Sequence, residues 1–223
     1  MPRSRRLLVA GGYYHVINRG NDRAVVFHQP GDYRAFLTLI DDAQDRVRLK
    51  LLAFCLMPNH FHLVVSPDGA GDVSRWMHWL MTTHTHRHHL RYGTSGCVWQ
   101  GRFKAFPIKH DGHLLTVMRY VERNALRAGL VERAEQWPWS SLVGRLEGRF
   151  GNQLADPPMA LPSDWSLRVN KPHTPAELQA LRKCVNCQRP FGDDQWIADT
   201  GGPPRLEVLT RGRGRTRKEA QPK

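Results

Sequence analysis

Two histidines separated by one residue, His60 and His62, are the side chains best placed to do chemistry in this sequence. They lie in segment 56–65, LMPNHFHLVV, whose Leu and Val residues after a Pro-Asn turn predict a β-strand. Because side chains alternate along a strand, both imidazoles face the same side. Neutral imidazole is the commonest metal ligand in proteins, so the pair is half of a metal site. The alternative is an ordinary polar pair at the surface or one satisfied by hydrogen bonds.

A tyrosine on the polar side of a predicted helix is the second chemical feature. At about 100° per residue, segment 113–127 gathers apolar residues on the side that packs on the sheet, namely Leu114, Met118, Val121 and Ala125. Tyr120 falls on the opposite side, among the polar residues His113, Thr116, Arg123, Asn124 and Arg127. This polar surrounding disfavours a core role for the ring, and an exposed tyrosine without function is the alternative.

Tyr120 and the histidine pair together indicate phosphate chemistry. A phenol, with a pKa of about 10, is a weak nucleophile at neutral pH. A divalent cation can act as a Lewis acid on a phosphate while the phenolate attacks it. Asn124, one helical turn from Tyr120, offers an amide oxygen as a third ligand beside His60 and His62. Such a site keeps open positions for phosphate oxygens and water.

The order of elements around these residues indicates a ferredoxin-like α+β sandwich. Hydrophobic spacing predicts strands at 13–18, 50–56, 60–66 and 99–109, and helices at 31–47, 73–91 and 113–126. This alternation is typical of one antiparallel sheet with helices on one face. The periodicity stops near Trp137. We expect an irregular basic C-terminal extension beyond that point, which either contacts DNA or is mobile when free.

The charge of the chain indicates a polyanionic partner. The 223 residues include 33 Lys plus Arg against 20 Asp plus Glu, a formal net charge of +13. Nucleic acid is the first candidate for such a partner, and an anionic membrane is the second. The sequence has no apolar run of the roughly 20 residues that span a bilayer, and its first apolar stretch is too short for a signal peptide. We therefore predict a cytoplasmic protein without a membrane partner.

Two other groups of metal-ligating residue types are not predicted to bind metal. Cys184 and Cys187 have the spacing of a zinc knuckle, but Cys55 and Cys97 lie far away in sequence, and we expect four reduced thiols. A histidine cluster ends the second predicted helix, comprising His84, His86, His88 and His89. Spread around a helix, these histidines do not share one face and indicate a surface that gains charge below about pH 6.5.

Several separated blocks of this sequence resemble a known family of DNA enzymes. Segment 56–62, LMPNHFH, resembles the HUH motif of transposases that cut single strands with one tyrosine. The blocks at 14–20, 99–104, 119–131 and 137–141 are similar to the REP-associated tyrosine transposases, a branch of that family. The resemblance covers about residues 10–145 and implies an HUH nuclease fold over residues 1–148, followed by the extension 149–223.

The resemblance also implies an activity. Such an enzyme is a metal-dependent endonuclease and strand transferase that acts on single-stranded DNA at palindromic, REP-like hairpins. Tyr120 would attack the scissile phosphate and give a 5′-phosphotyrosine and a free 3′-hydroxyl. His60 and His62 would bind Mg²⁺ or Mn²⁺, with Asn124 as the third ligand. Ala125 stands where the family commonly has proline, and alanine favours a continuous helix at that point.

The basic residues near these blocks are predicted to track DNA phosphates. They are Arg19, Arg102, Lys104, Arg119, Arg123 and Arg127. Trp99 and Phe103 are candidates for stacking on bases, although we expect one of the two to belong to the core. A non-catalytic protein that binds DNA hairpins and a replication-initiator-like HUH nickase are the alternatives. Monomer and homodimer both remain open.

Overall fold

The computed structural model describes residues 8–150, 153–187 and 189–200, without the side chains of residues 186 and 187. The strands in these ranges are β1 (Tyr13–Arg19), β2 (Leu49–Met57), β3 (His60–Pro67) and β4 (Lys104–Ile108). The helices are α1 (Pro30–Arg46), α2 (Asp72–Tyr92), α3 (Gly112–Glu122), α4 (Asn124–Arg127), α5 (Ser141–Glu147), α6 (Trp165–Asn170), α7 (Pro175–Cys187) and α8 (Asp194–Thr200).

The four strands form one antiparallel sheet in the order β2-β3-β1-β4. This order confirms the predicted α+β fold. A tight turn at Pro58 and Asn59 joins β2 to β3, so the two strands pair along their lengths. The pairing of β1 with β3 sets Arg19 opposite His60 and Ile17 opposite His62. The sheet register therefore places Arg19, a predicted phosphate contact, beside the histidine pair.

Helices cover both faces of the sheet, which differs from the expectation that they lie on one face. On β2 and β3, Phe54, Phe61 and Leu63 pack in the core that contains α1 and α2. The alternate positions Cys55 and Val64 belong to a second core, on the side of α3. Because both faces of these strands are apolar, each face needs its own layer of helices.

The chain beyond residue 148 is part of this architecture. Its described portion holds α6, α7 and α8, and is thus more regular than the irregular extension we expected. Leu51 of β2 bridges to Leu154, and Ile108 of β4 bridges to Phe191, so these segments cover both edges of the sheet. Covering an edge satisfies backbone groups that would otherwise pair with another chain.

Candidate active site

A cleft of about 280 Å³ opens between the sheet, the α3–α4 region and α7. It brings together His60, His62 and Tyr120, three of the four residues predicted to carry the chemistry on sequence grounds; Asn124, the fourth, is not among its lining residues. Four of the six predicted phosphate contacts also line it, namely Arg19, Arg102, Lys104 and Arg127. The cleft therefore combines a metal-ligating pair, a phenol and a cationic wall.

His60 and His62 project from β3 to the same side, with their ring centroids 5.1 Å apart. Burial lowers the pKa of His60 to about 4, and the charges of Arg19 and Arg127 add to this shift. Burial also holds the pKa of His62 well below its ordinary value. Both rings are therefore neutral at pH 7, which is the form that binds metal ions.

Asn59 fixes which nitrogen of His60 is protonated by donating one hydrogen bond and accepting another. The Asn59 side-chain nitrogen donates to the carbonyl oxygen of Arg23 at 3.0 Å, which orients the amide. Its oxygen, Oδ1, lies 2.7 Å from Nδ1 of His60 and accepts the hydrogen of that nitrogen. In this tautomer, Nε2 of His60 keeps its lone pair for a ligand.

Tyr120 lies over the histidines. The residue is 5 % exposed, and the centroid of its ring is 5.9 Å from that of the His62 ring. Our prediction that Tyr120 faces away from the sheet was wrong. The sheet presents imidazoles to this part of α3, so the polar side of the helix meets a polar patch of the sheet rather than solvent. On its other flank the ring contacts His173, from the segment between α6 and α7.

The side-chain oxygen of Asn124, predicted to bind the metal ion, is hydrogen-bonded to another residue. Asn124 is 1 % exposed, and its Oδ1 accepts a hydrogen bond from Nη2 of Arg127 at 2.8 Å. A cation bound to this oxygen would lie beside the positive guanidinium, so coordination by Asn124 requires Arg127 to withdraw. Coordination by Asn124 stays a prediction. The helix is also interrupted at Arg123 despite Ala125, so alanine does not make it continuous.

Arg119 does not line the cleft. Its Nη2 lies 2.9 Å from Glu177 Oε2, and its Nε donates to His173, so it joins α3 to α7. Arg123 also lies outside the cleft lining, and burial lowers the pKa of its guanidinium. Neither arginine lies at the cleft in this conformation, so their contacts with DNA stay predictions.

Trp99 and Phe103 are both buried in the core on the side of α1 and α2. We expected one of them to be a core residue, whereas the structure places both there. Trp99 packs edge-on against Phe61 with ring centroids 5.2 Å apart. Base stacking in the cleft therefore has to come from other groups.

Sequence reasoning missed two residues of this region, His15 and Arg182. His15 on β1 is 3 % exposed and lies against both His62 and Tyr120. Its position on the same face as Ile17 follows from strand alternation. Its contact with His62, however, depends on the pairing of β1 with β3, two strands that are far apart in the sequence. Arg182 reaches the cleft from α7, a helix that the sequence periodicity did not reveal.

The other candidate metal ligands do not form a site. Across residues 8–150, 153–187 and 189–200, no group of three or more His, Cys, Asp or Glu side chains is arranged to hold a metal ion. The Cys184 thiol donates to the carbonyl of Pro190, and the Cys187 side chain lies outside the described residues. His84 is buried, 4 % exposed, and burial lowers its pKa to about 3, so it is not part of the surface that we expected to gain charge below about pH 6.5.

The donor set of the cleft fits a divalent cation. Two neutral imidazoles from His60 and His62 supply nitrogen ligands, and the remaining positions would be open to oxygen atoms of water or of a phosphate. The cationic wall opposes a bare metal ion electrostatically and favours one that arrives with an anionic substrate. This combination is suited to phosphate chemistry.

The fold has a counterpart among solved structures. It is similar to a solved structure of a REP-associated tyrosine transposase bound to a REP hairpin, with a TM-score of 0.56 and 20 % identity, covering 78 % of this chain and 96 % of that one. A Haemophilus influenzae protein that carries the name REP-associated tyrosine transposase is 26 % identical over 153 residues, which cover 63 % of this chain and 85 % of the relative.

The family follows from the sequence itself. The model for IS200-like transposases matches residues 9–124, more than half of the 223 residues. The chain therefore belongs to the IS200-like transposase family, and the resemblance seen in its sequence blocks is confirmed. Of the helices that the structure describes, none is long and apolar enough to cross a membrane.

Proposed function

We propose that the protein is a metal-dependent endonuclease and strand transferase that acts on single-stranded DNA at REP-like hairpins through a 5′-phosphotyrosine on Tyr120. The observation that carries the proposal is the position of the Tyr120 ring, 5.9 Å from His62 in a cleft lined by Arg19, Arg102 and Lys104. Family membership supports DNA processing, and the REP hairpin bound by a structurally similar transposase supports the choice of substrate.

His60 and His62 would hold the Mg²⁺ or Mn²⁺ ion through their Nε2 atoms. When bound, the cation would supply Lewis-acid activation of the scissile phosphate. The protein prepares these ligands in two ways, because burial keeps both rings neutral and Asn59 orients the ring of His60. The neutral state of the two rings and the orientation of His60 are both present before DNA binds.

Tyr120 acts as the nucleophile in this proposal. Its Oη forms a bond to phosphorus while the bond from phosphorus to the 3′ oxygen breaks, and that oxygen leaves as a 3′-hydroxyl. The phenol loses its proton as the new bond forms and the departing 3′ oxygen gains one, so the exchange of esters releases and consumes no net proton. Because the phosphate stays esterified to the tyrosine, a 3′-hydroxyl can later attack it, restore a phosphodiester and release Tyr120. Cutting and rejoining therefore need no external energy source.

The arginines and the lysine of the cleft bind and orient the phosphate. Charge builds on the non-bridging oxygens as phosphorus is attacked, and fixed cations in a partly enclosed site stabilise that charge. Arg19 lies opposite His60 in the sheet, and Lys104 lies opposite Ile17 on β4, so both are held by backbone pairing. The backbone positions of the two residues are therefore set before the substrate binds, and their long side chains can adjust to the phosphate.

Cleavage of a labelled hairpin tests the proposal. We would incubate the protein with single-stranded DNA that carries a REP-like hairpin and a flanking single strand, in Mn²⁺, and resolve the products on a denaturing gel. A covalent adduct and a shortened strand with a 3′-hydroxyl are expected, and both should be absent with EDTA and in His60→Ala. Tight binding without cleavage would favour a non-catalytic hairpin-binding protein. Cleavage of unstructured single strands alone would favour an origin nickase.

A further inference from the structure

A buried contact joins His15 of β1 to His62 of β3. Nε2 of His15 lies 2.9 Å from Nδ1 of His62, and both nitrogens are shielded from water. Ile17 is the residue paired with His62 in the sheet register, so His15 is its diagonal neighbour on the same face. Pairing between the two strands holds the two rings in this relationship.

A hydrogen bond between two imidazole nitrogens contains one proton. Either His62 Nδ1 carries the hydrogen and Nε2 of His62 has a free lone pair, or His62 Nδ1 accepts and Nε2 is protonated. Only the first arrangement allows Nε2 of His62 to bind a metal ion, because a protonated nitrogen has no lone pair to offer. The proton's position in this contact therefore decides whether His62 is a competent ligand.

We propose that His15 is a positioning residue for the cation site: its Nε2 accepts the Nδ1 hydrogen of His62 and so keeps Nε2 of His62 available for a divalent cation. This inference rests on the metal-binding role proposed above for His62. Asn59 serves His60 in the same way, through its Oδ1. Partners of this type fix the tautomer and orientation of metal-binding histidines.

A direct ligand role for His15 is disfavoured by the structure. Its Nε2 is occupied by His62, and no set of three His, Cys, Asp or Glu side chains within the described ranges is arranged around a cation position. A purely structural role is the remaining alternative. His15 does contact Phe106, with ring centroids 5.9 Å apart, so its replacement will also disturb packing.

Affinity for Mn²⁺ without DNA separates positioning from packing. We would measure it by calorimetry for the wild type, His15→Leu, His15→Gln and the matched control His84→Leu, under conditions where circular dichroism shows each variant folded. His84 is also a buried histidine, 4 % exposed, but it lies in the α1–α2 layer on the other face of the sheet. We expect His15→Leu to bind Mn²⁺ about 10- to 100-fold more weakly.

His15→Gln keeps an acceptor near the same place and should retain most of the affinity, and His84→Leu should bind like the wild type. Wild-type affinity in His15→Leu would overturn the proposal. An equal loss in His15→Leu and His84→Leu would also overturn it, since the effect would then be general destabilisation.

The tautomer of His62 gives a second measurement that does not involve metal. In the metal-free protein labelled with ¹⁵N-histidine, we expect the NMR shifts of His62 to show hydrogen on Nδ1, and a mixture of tautomers in His15→Leu. Hydrogen on Nε2 in the wild type would overturn the role of His15 whatever the metal result. A wild type that binds no Mn²⁺, either alone or together with hairpin DNA, while His62 keeps hydrogen on Nδ1 would sustain the tautomer assigned to His15 and refute the proposed metal dependence.

Discussion

The guanidinium carbon of Arg127 lies 4.7 Å from the centroid of the Tyr120 ring, above its face. The same guanidinium donates to Oδ1 of Asn124. One side chain thus contacts both the proposed nucleophile and the predicted third metal ligand. A cation over an aromatic face is attracted by the ring, so Arg127 helps to hold Tyr120 in place. Because Arg127 also lines the cleft, it is suited to meet the phosphate that Tyr120 is proposed to attack.

Arg127→Leu should reduce the rate of adduct formation with a hairpin substrate on the order of 10²-fold, because it removes a fixed charge beside the reacting phosphate. Arg127→Lys should recover part of the loss, since it keeps the charge but loses the flat guanidinium. Single-turnover kinetics at saturating DNA measure the effect. The matched control is Arg133→Leu, an exposed arginine outside the cleft. Equal rates for Arg127→Leu and Arg133→Leu would refute a role for Arg127 in the reaction.

Glu122 should be one of the most important residues for stability. It is fully buried on α3, and its carboxylate accepts hydrogen bonds from Ser141, Arg145 and Trp165. Replacement by alanine leaves the guanidinium of Arg145, whose side chain is only 12 % exposed, without its ion-pair partner, and breaking such a pair costs about 3–5 kcal/mol. We expect this loss in the free energy of unfolding from urea denaturation. Glu147→Ala, at an exposed residue that ends α5, is the control, and a comparably small loss for both variants would contradict this account.

Acid should destabilise the protein, in part through His84. Burial lowers its pKa to about 3 in the folded state, with help from His88 and Arg87 and against the charge of Asp32. In the unfolded chain a histidine titrates at about 6.5. Between these values the unfolded state binds one more proton, so the free energy of unfolding falls as the pH falls. At pH 5 the loss is roughly 2 kcal/mol for this residue.

The variant His84→Gln lacks the imidazole that takes up this proton when the chain unfolds. We expect its stability to drop less than that of the wild type between pH 7 and pH 5, by roughly 2 kcal/mol. The control is His86→Gln, an exposed residue of the same helix. Urea denaturation at both pH values gives the comparison. Parallel losses in His84→Gln and the wild type would show that His84 titrates normally in the folded protein.

Local patterns in the sequence sufficed for the part of the site that lies on one strand. The spacing of His60 and His62 places them on one face by strand alternation alone, and the structure has their rings side by side. The order of strands and helices likewise predicted the sheet. These features depend on neighbouring residues, which is why they are visible without tertiary contacts.

Features that depend on contacts between distant segments were not visible. A helical wheel gave the angular position of Tyr120 but not what lies opposite it, and that surface consists of His15 and His62 from two different strands. Arg182 reaches the cleft only because α7 packs against α3, through contacts such as Arg119 with Glu177. Such placements follow from tertiary packing, which sequence periodicity does not encode.

The identity of the residue that becomes attached to DNA tests the central claim most directly. We would trap the adduct with a hairpin substrate and Mn²⁺, digest protein and DNA, and map the modified peptide by mass spectrometry. The account predicts a nucleotide on Tyr120, no adduct in Tyr120→Phe, and a normal adduct in Tyr13→Phe, a tyrosine of β1 outside the cleft lining. An adduct that maps to another residue, or that persists in Tyr120→Phe, would contradict it.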